Sequence, residues 1–368
     1  KWLDIVKAYW NSAVTERGCY ATGGQTCGEI WTPKHEMNAR LGDKNQEHCV
    51  VYNMMRLAEF LFRWTGESRF ADYWERNLYN GIMAQGYWDG HANATNGECH
   101  DHPMTGLLTY FLPLRGGARK FWASRTQDFF CCHGSLVQAN ASHTNGMYYH
   151  DDDSIAVCQY FDSVLTSEFG GQRITLEQKI DPLNGTNHTS SDSAGTQAIN
   201  RLTRVYQHDP NKLAVRFRIK TDKAVRFTLK LRVPFWLKGE PVVAVNGEPV
   251  SVKADERGFL EVTRDWQDDE VYLELQKGIT VCPLPGDDTR IAFLNGPIVL
   301  AGLCDEERTL YAESDQPLET LLEPDNEREW GNWKQTFRSV GQDHGIRFWP
   351  LYQIGYDRYS VYFPVKRR

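Results

Sequence analysis

The chain has 368 residues, a formal net charge of -7, 41% hydrophobic and 24% charged residues. This is the balance of a folded globular protein long enough for two or three domains. The longest basic run is the closing Lys366-Arg367-Arg368 and no stretch of eighteen apolar residues exists, so neither a nucleic-acid footprint nor a membrane span is expected.

The first 150 residues read as helical. From Glu47 to Trp64 the apolar residues Val50, Met54, Leu57, Phe60 and Leu61 recur at helical steps, and Thr65-Gly66 ends the run. Phe70 to Met83 repeats the pattern through Tyr73, Trp74, Leu78 and Ile82, so the two segments form an αα-hairpin. A third helix is expected from Leu136 onward. Long polar stretches, Gly23 to Thr26 and Trp88 to Gly106, lie between these segments and read as functional loops.

After Asp151-Asp152-Asp153 the period changes to two. Residues 173–179, 213–220, 225–233, 242–245, 259–263 and 271–275 alternate apolar and polar side chains, and Asn246-Gly247 is a hairpin signal. Regularly spaced short strands predict a β-sandwich, with further strands at 292–303 and 359–365. Residues 184–198 read as a long loop. The expected domains are 1–152 (helical), 153–276 (β-sandwich) and 277–368 (a second β-rich domain).

Nine cysteines, an odd and scattered set, suit metal binding or catalysis better than a disulfide framework. Cys131 and Cys132 are adjacent, and Glu47 and Cys49 lie upstream with Asn45 as the expected N-cap. Three thiolates and a carboxylate are a tetrahedral zinc set. On a regular helix residues i and i+2 face apart, so convergence requires a bent backbone at both pairs. Phe129-Phe130 predicts burial of the cysteine pair. A zinc-bound thiol is deprotonated and can act as nucleophile; a closed structural knuckle is the alternative. Glu29, between Gly28 and Ile30-Trp31, is a carboxyl in apolar company that suits a general acid. A second possible ligand run is Glu98-Cys99-His100-Asp101-His102. The 12 Trp, 17 Tyr and 17 Phe suit sugar handling, and equally a large β-rich core.

Several motifs occur together in a fixed order. They are Tyr20-Ala21-Thr22-Gly23-Gly24, Gly28-Glu29, Glu47-His48-Cys49 with Tyr52-Asn53-Met54, and the run Tyr73 to Asn80. Thr109-Tyr110-Phe111, Cys131-Cys132, Val245-Asn246-Gly247, Arg264-Asp265-Trp266 and the run Gly296 to Gly302 follow. In this the chain resembles the β-L-arabinofuranosidases, a large group of bacterial glycosidases. The resemblance implies an (α/α) helical toroid, incomplete in this chain, followed by β-sandwich domains. It implies Zn2+ held by Glu47, Cys49, Cys131 and Cys132, with Cys131 as nucleophile and Glu29 as acid/base of a retaining exo-hydrolysis. Glu75 and Tyr110 match positions that line the sugar site. The implied partner is a carbohydrate, a plant glycan or arabinosylated glycoprotein. Helical hairpins that family members carry before the position of Lys1 are absent here, so the chain is expected to be a fragment, to oligomerise, or to have its toroid completed by a second chain. His133-Gly134-Ser135 after the cysteine pair leaves the sugar open. Another sugar, or a zinc-stabilised carbohydrate-binding fragment without turnover, are the alternatives.

Overall fold

The computed structural model describes residues 1–89, 105–124, 126–180, 211–325 and 335–368. The expected loop over 184–198 and the possible ligand run over 98–102 lie outside them. The fold is mixed α and β, with strands predominating. Among the described residues the α-helices are α1 (Trp2–Trp10), α2 (His48–Thr65), α3 (Ser68–Asn77) and α4 (Cys131–Ala141). None is long and apolar enough to cross a membrane.

Helix α2 ends where the sequence says: Gly66 takes a left-handed conformation at φ 68° and its N–H returns to the Phe62 carbonyl. The buried stripe of α2 runs through Val51, Met54, Met55, Ala58, Leu61 and Phe62, whereas Phe60 stays 40% exposed. The apolar face is thus turned slightly from the expected one, because α2 packs against α3 and α4 on one side and against α1 on the other. Helix α3 passes into a π-helical turn at Leu78–Met83. There Asn80 donates from Nδ2 to the Pro297 carbonyl at 2.7 Å and accepts the Val299 N–H at 2.8 Å, tying the helices to the last sheet.

The strands expected separately at 213–220 and 225–233 are one strand, Lys212–Arg232, and those at 259–263 and 271–275 are another, Phe259–Gln276. The two pair antiparallel along their length, with a register shift between Trp266 and Asp268. Gln172–Ile180 runs along the first half of Lys212–Arg232 and Ser154–Val157, parallel, along the second. Side chains of both halves, among them Phe217, Ile219, Leu229, Leu231 and Trp266, enclose one core. The alternating pattern was therefore right in period. It breaks at 221–224, where the residues are polar or exposed, and at 264–270, where the register shift after the buried Trp266 interrupts the alternation, while the backbone ladder continues through both. Asn246 and Gly247, at φ 52° and 84°, make the expected hairpin between Val242–Val245 and Glu248–Pro249.

A nine-stranded sheet is built from the strands from Ile279 onward. Its core is shared with the first part of the chain: Tyr20, Met37, Leu112, Leu114 and Ala118 pack with Leu294, Val299, Leu351, Tyr359 and Tyr362. The helices share a second core with Ala156, Cys158 and Phe259 of the eight-stranded sheet.

Arg232 anchors that second contact. Its guanidinium is fully buried, meets Asp72, lies 2.9 Å from Glu75 Oε1, and donates from Nε to the Cys158 carbonyl at 2.5 Å. Trp236 Nε1 donates to the other Glu75 oxygen at 2.9 Å. Both oxygens of the Glu75 carboxylate are thus engaged between α3 and the sheet.

Candidate active site

Three extended segments lie side by side and carry the site. Thr26–Cys27 pairs with Ile30–Trp31 as a two-residue hairpin whose turn residues Gly28 and Glu29 have φ 60° and 66°. Both central residues left-handed is the twist that suits such a turn, and a non-glycine residue there is held by its surroundings rather than by preference. Residues 44–48 lie along this hairpin: Gly28 N–H donates to the Lys44 carbonyl and Gln46 N–H to the Thr26 carbonyl, at 2.8 and 2.9 Å. On their other side runs the Tyr110 segment, with His48 N–H to the Tyr110 carbonyl at 3.3 Å and Leu112 N–H to the Asn45 carbonyl at 2.7 Å. Glu29, Glu47 and Tyr110 are brought together by this backbone arrangement.

The bend that the Glu47–Cys49 pair requires is present, one residue before Glu47. Gln46 has φ 51°, Glu47 is extended, and α2 begins at His48. Glu47, not Asn45, is therefore the N-cap residue. Asn45 is spent elsewhere, donating from Nδ2 to Tyr20 Oη and the Arg40 carbonyl and accepting the Gly42 N–H. Gln46 is locked by its amide, which donates to the Asn80 carbonyl at 2.8 Å and accepts the Thr22 hydroxyl. Gly24 permits this: a Cβ there would stand 2.5 Å from Gln46 Oε1.

Helix α4 begins at Cys131, five residues before the expected start, because the Phe130 N–H is capped at 2.9 Å by His133 Nδ1. The cysteine pair needs no irregular backbone. It occupies the first helical turn, where adjacent side chains diverge by only about 100°. The burial expected from Phe129-Phe130 holds for Cys132 alone; Cys131 is exposed, as are Phe129 and Phe130 at 80% and 44%. Those rings turn outward, Phe129 stacking on His133 and Phe130 standing edge-on to Tyr110.

The four donors Glu47, Cys49, Cys131 and Cys132 lie within 4.8 Å of one another. Cys49 Sγ is 3.6 Å from Cys131 Sγ and 2.8 Å from Glu47 Oε1, and Cys131 Sγ is 3.9 Å from Cys132 Sγ. Sulfurs around a tetrahedral zinc with bonds of about 2.3 Å stand ~3.8 Å apart, so the set fits such an ion. The first turns of α2 and α4 both face the cluster, and helix N-termini favour anionic ligands. Burial and the Glu47 carboxylate push Cys49 up, and burial pushes Cys132 up to about 12. A cation is what makes this donor set compatible with ionised sulfur.

Tyr110 is the centre of the remaining geometry. Its hydroxyl donates to Glu29 Oε1 at 2.6 Å, and stands 3.2 Å from Glu47 Oε1 and 3.4 Å from Cys131 Sγ. Burial, Cys131 and Glu29 all push its ionisation upward, so it remains a hydroxyl donor. Glu29 does not sit in the expected apolar company. It is exposed, Ile30 beside it is 69% exposed, and its contact is with Tyr110. Glu75 is not gathered with these groups; its carboxylate belongs to the Arg232 network. The sequence reading missed Gln46, whose bend no local signal announces. It also missed Lys120, a buried cation that a charged Arg119-Lys120 pair disguises as surface.

Comparison with known proteins identifies the family and the fold. Residues 1–145 match the model of the β-L-arabinofuranosidase GH127 catalytic domain and residues 189–277 that of the GH127 middle domain. A non-reducing end β-L-arabinofuranosidase of Bifidobacterium longum subsp. longum is 26% identical over 312 residues, which is 81% of this chain and 41% of that protein. A GH127 β-L-arabinofuranosidase of Geobacillus stearothermophilus T6 superposes with a TM-score of 0.65 at 21% identity, over 97% of this chain and 56% of its own. A second GH127 β-arabinofuranosidase superposes with a TM-score of 0.69 at 19% identity, over 97% and 55%. The chain thus spans about half the length of these relatives, and at such identity the structural likeness speaks for the fold. The two family models together cover more than half of the sequence, and the chain belongs to the GH127 β-L-arabinofuranosidase family.

Proposed function

We propose that this chain carries the chemical centre of a retaining exo-glycosidase that hydrolyses terminal β-L-arabinofuranosides. One observation supports the reading above others: a single hydroxyl, that of Tyr110, touches both Glu29 Oε1 and Cys131 Sγ. The two reacting atoms therefore lie no further apart than those two contacts end to end, about 6 Å. Retaining glycosidases hold their two groups about 5–5.5 Å apart, inverting ones about 6.5–9.5 Å. That upper bound lies below the inverting range and is compatible with the retaining one.

In this reading Glu29 gives its proton to the departing glycosidic oxygen while Cys131 Sγ forms a bond to the anomeric carbon. The C–O bond breaks and a thioglycosyl enzyme results. Glu29, now a carboxylate, takes a proton from water as that water displaces the sulfur, which leaves as thiolate. Tyr110 orients Glu29 and faces the sulfur. Glu47, Cys49, Cys131 and Cys132 are the residues to hold Zn2+, which when bound keeps the sulfur ionised at neutral pH. The four helices are read as part of an (α/α) toroid, followed by a β-sandwich from 153 to 276 and a β-rich domain from 277. The relatives' names support a carbohydrate substrate with a terminal β-L-arabinofuranoside; an arabinosylated plant glycan or glycoprotein is the finer reading that the resemblance implies.

The test is turnover of an aryl β-L-arabinofuranoside by the wild type and by Glu29→Gln and Cys131→Ser, with zinc content measured alongside. Loss of turnover in both, with the ion retained and the sugar trapped on Cys131 in the wild type, supports the reading. Full activity in either variant refutes the role of that residue.

A further inference from the structure

Lys120 is 2% exposed, and among the described residues no carboxylate is one of its partners. Its ammonium donates to the carbonyls of Leu351 and Ile354 at 2.8 and 2.7 Å and lies 5.5 Å from the centre of the Trp122 ring. A buried charge satisfied only by neutral dipoles is costly and calls for a reason. Burial pushes this ammonium down to about 7.

The reason lies in what the neighbouring residues hold. The chain from 113 to 122 is fastened along 351–360 of the last sheet. Trp122 Nε1 donates to the Gly355 carbonyl at 2.8 Å, Ala118 and Tyr359 exchange backbone bonds at 2.7 and 2.9 Å, and the Tyr359 hydroxyl reaches the Pro113 carbonyl at 2.7 Å. Tyr87 stacks on Trp122 and meets Tyr356 edge-on, closing the same junction. From this anchored segment two contacts lead to the residues just before Tyr110. Phe121 N–H donates to Thr109 Oγ1 at 3.3 Å, and Ala123 N–H to the Leu108 carbonyl at 2.7 Å. Thr109 and Trp122 form a bridge. The last sheet thus backs the strand that presents the Tyr110 hydroxyl, with Lys120 as the buried pin between them.

We propose that Lys120 is a positioning residue, pinning the 351–356 turn to the Tyr110 strand and so fixing the Tyr110 hydroxyl between Glu29 and Cys131. The proposal rests on the role given to Tyr110 above. The nine-stranded sheet then belongs to the catalytic apparatus rather than being an appended module.

The experiment uses the zinc-loaded protein. The first readout is the rate at which iodoacetamide alkylates Cys131, followed by peptide mass spectrometry, and it needs no turnover. Tyr110→Phe is expected to change this rate, Lys120→Met to change it in the same direction, and the double variant to match the Tyr110→Phe single variant, since both act through one hydroxyl. Trp122→Phe, which removes the bond to Gly355 and leaves Lys120 in place, is expected to give a smaller change of the same sign. It decides the matter if Lys120→Met does not fold. The second readout is kinetic: kcat falls by about tenfold or more in Lys120→Met while KM stays within about twofold. A wild-type alkylation rate in Lys120→Met or in Tyr110→Phe, effects that multiply in the double variant, or a raised KM with unchanged kcat each overturn the proposal. If the wild type itself does not hydrolyse the glycoside, the glycosidase reading fails, and alkylation still decides the role of Lys120.

Discussion

Cys49 Sγ lies 2.8 Å from Glu47 Oε1 although two residues on a helix point to opposite sides. The contact exists because Gln46 is left-handed and Glu47 extended, so Glu47 approaches from outside the helix while Cys49 approaches from its first turn. A carboxylate and a thiol at this distance repel once both are ionised, and the other two thiols complete a set that calls for a cation.

Removal of the ion should therefore loosen the whole cluster. Treatment with 1,10-phenanthroline is expected to lower the melting temperature and to raise the number of thiols reactive toward Ellman's reagent. Structural zinc contributes folding free energy directly, and a ligand bound at a thousand times its Kd stabilises by about 4 kcal/mol. Unchanged melting with and without chelator would show that these four residues hold no ion.

Substitution of Tyr110 by Phe removes one hydroxyl and little volume. The expected result is a fall in kcat/KM of about a hundredfold, the usual scale for misplacing a positioned catalytic group. Zinc content should be unchanged, because Tyr110 is outside the donor set. Steady-state kinetics together with metal analysis check this. A Tyr110→Phe variant with wild-type kcat/KM would leave the hydroxyl with no part in the reaction.

For Glu75 the engaged carboxylate points to stability instead of sugar binding. Glu75→Gln and Arg232→Met each break the ion pair between two buried side chains, and loss of one partner in such a pair costs about 3–5 kcal/mol. Denaturant unfolding measures it. A Glu75→Gln protein of unaltered stability and much weakened KM would reinstate the sugar-binding role that the resemblance suggests.

Lys120 makes a pH prediction whose sign can be worked out. Its pKa falls from 10.5 to about 7 on folding, so between those values the unfolded chain binds more protons than the folded one. Stability then rises with pH across that window, and below about 7 the full cost of burying the ammonium is present. The difference in melting temperature between wild type and Lys120→Met should move in favour of the wild type between pH 7 and pH 9.5, a span inside that window. Parallel curves for the two proteins would contradict the burial argument.

Local sequence determined a good deal here. Helical period placed α2 and α3, Gly66 stopped α2, the two-residue period placed the strands, and Asn246-Gly247 fixed a hairpin, because each depends on nearest neighbours. The chemistry of Glu47, Cys49, Cys131 and Cys132 was likewise legible as a donor set. Their convergence was not, since it rests on a left-handed Gln46 held by Thr22 and Asn80, and on the capping of α4 by His133. The same holds for Glu29, which flanking residues placed in an apolar pocket but which the ladder over 26–28, 44–48 and 109–112 turned toward Tyr110. Composition cannot tell a buried Lys120 from a surface one, nor a Glu75 facing sugar from one facing Arg232. Those distinctions are made by partners far away in the chain, and only the packing of the helices against both sheets decides them.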